Sequence, residues 1–208
     1  ESLERLEEIA EKPNPYSRFT SFIAFGASSG AFAMLMHTSW NDVLWSTLLG
    51  LVVALLIFWS ERSNRVSEML EPLSAVVCAL TASAIASVDP HINVPLVVLS
   101  SIIVIIPGLS LTLGLSELSA RHLLSGTARI MDAIMTLFKL YFGAFLGMSV
   151  GGLLWQPLTF EASKPLESWT AWLAVLILSI TLAILFRLRG RDAPWAILAG
   201  FVAFATSL

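Results

Sequence analysis

The stretch INVPLVVLSSIIVIIPGLSLTLGL, residues 92–115, decides the fold. It carries no charge and is longer than the roughly 20 residues that carry a helix across a bilayer. Its second half nevertheless holds Pro107-Gly108. Proline withdraws a backbone donor and disfavours helical geometry in the residue before it. At membrane depth the freed backbone groups need protein partners or a watery cavity. The half-helix that starts after such a break presents partial positive charge and free N–H groups, which suit a carboxylate. Here those groups belong to Gly108, Leu109 and Ser110, with the hydroxyls of Ser110 and Thr112 close by. A kink used only for packing is the alternative reading.

Working outward, further apolar blocks predict spans over residues 19–38, 43–60, 72–88, 130–154 and 169–188. With the broken span this makes an all-α polytopic membrane protein of about six complete spans. A seventh starts near Pro194 and stops at Leu208; since the chain also begins with Glu1, it is expected to be part of a longer one. Small residues mark close helix approaches: Gly26-Ala27-Ser28-Ser29-Gly30, then Ser74, Cys78, Ala82 and Ala86, then Gly143, Gly147 and Gly151. The expected organisation is an amphipathic lead-in at 1–18, a five-span membrane domain at 19–155, an outer loop at 156–168 and the start of a second membrane domain at 169–208.

Of the 208 residues 56% are hydrophobic and 13% charged, with mean hydropathy +0.80. Soluble domains carry about 25% charged residues. A net charge of -3 without a basic patch argues against nucleic acid. The single cysteine, Cys78, excludes an internal disulfide and a multi-cysteine metal site. No hydrolase triad, phosphate-binding loop or histidine cluster appears, so neither catalytic residues nor a cofactor or metal is expected. Arg5, Lys12, Arg18, Arg62, Arg65, Arg121, Arg129, Arg187, Arg189 and Arg191 fall on one side of the predicted spans, Lys164 on the other. That bias places the N-terminus in the cytoplasm.

Lys139 is the one cation deep within a predicted span, Arg187 standing at the end of its own. A central lysine costs on the order of 3 kcal/mol or more, so it should face protein or water. It lies about 15 Å beyond Arg129 at a ~1.5 Å rise per residue, and Gly108 lies at a similar distance from Glu117. The break and the lysine could thus share one depth, with Lys139 near a substrate carboxylate or capping the carbonyls around residues 104–106. Asp132, seven residues earlier, shares its face and could relay a proton, the alternative being a surface pair with Arg129. Glu117 and Arg121 also have pair spacing. Asn93 suits an N-cap, while His37, Asp42, Asp89 and His91 read as solvated residues at the outer ends of spans.

Across residues 106–151, Pro107-Gly108-Leu109, Leu111-Thr112, Glu117-Leu118, Leu124-Ser125-Gly126, Arg129 and the glycine ladder resemble the threonine/serine exporter family. Tyr16-Ser17-Arg18 and Trp40-Asn41-Asp42 extend the likeness toward the N-terminus. The resemblance implies a carrier that exports threonine and serine, or, as in two-component relatives, dicarboxylates such as succinate, driven by the proton motive force. It implies about ten spans in two halves, so that the remaining half of the transporter, the lipid bilayer and a small-molecule substrate are the expected partners. A homo-oligomer is left open. The implied location is a bacterial inner membrane. Outside the family reading stand a structural or regulatory membrane subunit and a channel.

Overall fold

The computed structural model describes residues 16–62, 67, 69–155, 166–188 and 192–206. The amphipathic lead-in over residues 2–12, most of the loop at 156–168, and the side chains of Arg5, Lys12, Arg65, Lys164, Arg189 and Arg191 lie outside them. Among the described residues the helices are α1 (Arg18–Leu35), α2 (Trp40–Ser60), α3 (Leu70–Ala86), α4 (Val94–Ser101), α5 (Gly108–Ser119), α6 (Leu123–Leu154), α7 (Thr170–Leu185) and α8 (Ala193–Ala205). A 3-10 turn, Ile103–Ile105, stands between α4 and α5.

Ser17 starts α1 by accepting the Thr20 N–H, and Ser39 starts α2 by accepting that of Asp42. From there α1 and α2 run antiparallel at close range. A Cβ added at Gly26 would lie 2.6 Å from Leu51, and one at Gly30 would strike the Thr47 hydroxyl. This is the work expected of the 26–30 motif.

α3 and α6 run parallel. Gly143 faces Pro72 and Ala75, Gly147 faces Val76 and Ala79, and Gly151 faces Ser83. Of the predicted small face of α3, Ser74, Cys78 and Ala82 are fully buried and Ala86 is half-buried; Cys78 and Ala82 belong to a core with Leu49, Val53, Val97 and Val98. Two neighbouring small faces therefore let α3 pack on both sides. The lower half of α6 takes α5 antiparallel, with Gly114 against Ile130 and Gly126 against Leu118. Arg129 fastens the two helices through Glu117 at 3.1 Å. The expected partner of Glu117, Arg121, instead occupies the turn between them with φ 64°.

By length and composition two helices, Trp40–Ser60 and Leu123–Leu154, can cross a bilayer. The pair Val94–Ser101 and Ile103–Ser119 makes a third if counted as one span bent by 49°. α3 and α7, at 17 and 16 residues, are shorter. Of the six expected spans, two or three reach full length among the described residues of this helical membrane protein. α1 and α7 stop short of the ends of their apolar blocks at 19–38 and 169–188, and α3 ends at Ala86, two residues before its block does.

At the end of the bundle where α2 begins, Asp42 is not solvated. It is 2% exposed and accepts from the Ser39 N–H, the Ser39 hydroxyl and the Asn93 N–H. It closes a capping box on α2 and ties in the start of α4, where Asn93 serves as the expected N-cap. Asp89, expected in solvent, is half-buried and accepts from the Asn41 side-chain amide at 3.1 Å.

Candidate functional site

Regular helix ends at Ser101, six residues before the proline. Part of the backbone released there is reabsorbed. The Ser29 hydroxyl donates to the Ser101 carbonyl at 3.3 Å, the 3-10 turn takes the next groups, and the Gly108 N–H closes a tight turn over Pro107 onto the Ile106 carbonyl at 2.8 Å. The Leu111 N–H returns to Pro107. Among the described residues this leaves the N–H groups of Leu109 and Ser110 without acceptors at the start of α5. Gly108, expected as a third donor, is spent in the turn.

These groups sit beside a cavity of about 560 Å³. Its walls are Phe25, Ser28 and Phe32 of α1, Ile57 and Phe58 of α2, and Leu178 and Leu182 of α7, with Ile103, Val104, Gly108 and Leu109 from the break. That volume falls in the range of small-molecule sites, about 300–1,000 Å³. A Cβ at Gly108 would meet no atom within 4 Å, so the glycine opens onto space rather than onto a neighbour. The walls are mostly apolar, and the charges gather at the mouth. There a smaller polar recess shares Ser21, Phe58, Glu61 and Arg187 with the cavity and adds Tyr16 and Arg18. Arg18 pairs with Glu61 at 3.6 Å, and the Tyr16 hydroxyl donates to the Leu188 carbonyl at 3.2 Å.

Of the sequence-derived residues, Gly108 and Leu109 line this cavity. Pro107 shapes the turn behind it. Ser110 is one residue along α5, and Thr112 is exposed with its hydroxyl returned to the Gly108 carbonyl. Lys139 is elsewhere: its Nζ lies 3.8 Å from Glu71 in the first turn of α3. Of the carbonyls around residues 104–106 that it was expected to cap, that of Ile106 accepts from the Gly108 N–H. Ile106 lines a separate apolar groove of about 260 Å³ together with Leu137, Leu140 and Tyr141 of α6. Asp132 is exposed, and Arg129 is engaged by Glu117 rather than by it. Glu61, Glu71 and Arg187 escaped sequence reasoning because only tertiary packing brings them to these positions.

A family model described as "Putative threonine/serine exporter" matches residues 1–151. Among curated proteins, the chain is similar to pheromone-regulated membrane protein 10 of Saccharomyces cerevisiae, at 30% identity over 91% of this chain and 51% of that protein. It is also similar to the protein of the same name in Debaryomyces hansenii, at 31% over 73% of this chain and 16% of that one. In Pichia sorbitophila the match is 26% over 93% of this chain and 20% of the relative. The chain thus spans about half or less of the length of these relatives. No solved structure matches. The relatives are yeast membrane proteins, which overturns the expected bacterial inner membrane and points to a eukaryotic membrane. The match over residues 1–151, a stretch that includes the broken helix, establishes that the chain belongs to the threonine/serine exporter family.

Proposed function

We propose that the chain supplies the substrate-binding part of a secondary transporter that exports small carboxylate metabolites, threonine or serine ahead of dicarboxylates, with a proton gradient as the driving force. The observation that carries this reading is the open space in front of Gly108, where a discontinuous helix begins at the wall of a cavity. The substrate carboxylate meets the Leu109 and Ser110 N–H groups, where the helix dipole favours negative charge. Pro107 fixes the turn, and the absent side chain at Gly108 leaves the approach clear. Lys139 and Asp132 stand outside this contact set; Lys139 serves with Glu71 at the α3–α6 seam.

A second reading, a membrane scaffold with no transport path, draws support from the same pair, since an ion partner at 3.8 Å accounts for Lys139 without a substrate. Counterflow of labelled threonine, serine and succinate in proteoliposomes of the full-length protein separates the two. The exporter reading expects saturable exchange, faster with a pH gradient, and a loss of at least tenfold in Gly108→Leu, whose side chain would occupy the cavity. No exchange from folded protein would leave the scaffold reading standing.

A further inference from the structure

The mouth of the cavity holds three charges of a particular arrangement. Glu61, the residue that ends α2, is held by Arg18 at 3.6 Å. Arg187, just past the end of α7, lines both the recess and the cavity and has no ion-pair partner among the described residues. Arg187 also sits in the left-handed region with φ 53°, so its position suits glycine better than a side chain. The Glu61 carboxylate and the Arg187 guanidinium, unpaired among the described residues, therefore line the same opening.

Resting on the transport reading above, we infer that Glu61 and Arg187 form a selectivity gate for zwitterions: Glu61 receives the α-ammonium and Arg187 the carboxylate of an amino acid passing to the break. A guanidinium matches a carboxylate with two parallel N–H donors. An ammonium offers three donors to Glu61 without displacing Arg18, since a carboxylate accepts at about four lone-pair sites. A dicarboxylate finds Arg187 equally inviting but brings a second negative charge against Glu61. Like charges at close range are a penalty against the wrong ligand rather than a reward for the right one, which is how charged sites discriminate. Glu61 is thus the residue that sets amino acids apart from dicarboxylates. Ser21 and Phe58 line both the recess and the cavity that reaches Gly108.

The test is the ratio of threonine to succinate counterflow in proteoliposomes of the full-length protein, for wild type, Glu61→Gln, Glu61→Asp and Arg187→Gln. The gate expects wild type to favour threonine, Glu61→Gln to lower the ratio by about tenfold or more, and Glu61→Asp to recover most of it. Arg187→Gln should depress both rates. Inhibition of wild-type threonine exchange supplies a second readout: threonine methyl ester and 3-hydroxybutyrate, each lacking one of the two charges, should compete poorly compared with serine. If Glu61→Gln lowers threonine and succinate exchange equally, Glu61 is only the anchor of Arg18 and the gate is refuted while transport stands. Wild-type exchange of succinate but not threonine refutes it likewise. Exchange of neither substrate removes the transport reading and the gate together.

Discussion

Replacing Gly147 with alanine tests the seam on which the bundle depends. The new methyl would lie 2.5 Å from the Ala79 Cβ and 2.8 Å from the Val76 carbonyl oxygen. Carbon atoms in comfortable contact are about 3.5–4.0 Å apart, so α3 and α6 must separate by about 1–1.5 Å at this level. Neither neighbour can swing aside, because one is a Cβ and the other is backbone. Overpacking of this kind costs about 1–3 kcal/mol, and rigid neighbours place it toward the upper end. Alanine returns up to about 1 kcal/mol of helix propensity, leaving a net loss of about 2 kcal/mol. Gly152 is the internal control: it lies in the same helix, and a Cβ there meets nothing within 4 Å. Gly152→Ala should be neutral or stabilising by up to about 1 kcal/mol. Equilibrium unfolding of the full-length protein in mixed micelles would measure both. Equal effects of the two substitutions would refute the seam, since helix propensity alone treats them alike.

Asp42→Ala removes the acceptor of three donors at a 2% exposed site, and should cost about 3 kcal/mol in the same unfolding assay; a loss below about 0.5 kcal/mol would mean the capping box is not formed. Arg121→Gly relieves a left-handed backbone angle of 64° and should raise stability by about 1 kcal/mol, whereas a decrease would show that the arginine side chain contributes more than its backbone strain takes away. A double-mutant cycle over Glu71→Gln and Lys139→Met should give a coupling of about 0.5–1 kcal/mol, because Lys139 is 41% exposed and the pair is partly screened. Zero coupling would detach Lys139 from α3.

The break, the glycine ladder of α6 and the small faces of α1 and α3 were all legible because each is a local signal. Proline-glycine interrupts a helix wherever it stands, and small residues every four positions mark one face. What the ladder touches was not legible, because parallel packing of α3 on α6 joins Glu71 to Lys139 across 68 positions (139 − 71). The same holds for the mouth of the cavity, where Glu61 and Arg187 are 126 positions apart (187 − 61). Asp42 is a different case. Ser39-Trp40-Asn41-Asp42 before an apolar run has the spacing of a capping box, with Asp in the place usually held by Glu. The signal was present, and its position at a span end drew the reading toward solvent.

The parallel seam also orders the events of biosynthesis. α3 is short, and its buried faces are built from alanine, serine, cysteine and backbone rather than from large apolar side chains. Its closest partner begins 37 residues after α3 ends (123 − 86), and Gly143, Gly147 and Gly151 are translated later still. A nascent α3 must therefore wait, in the insertion machinery or against α2, until nearly the whole of α6 has emerged. Variants that lengthen or slow the synthesis of residues 87–122 would expose this helix to quality control without altering a single contact of the finished bundle.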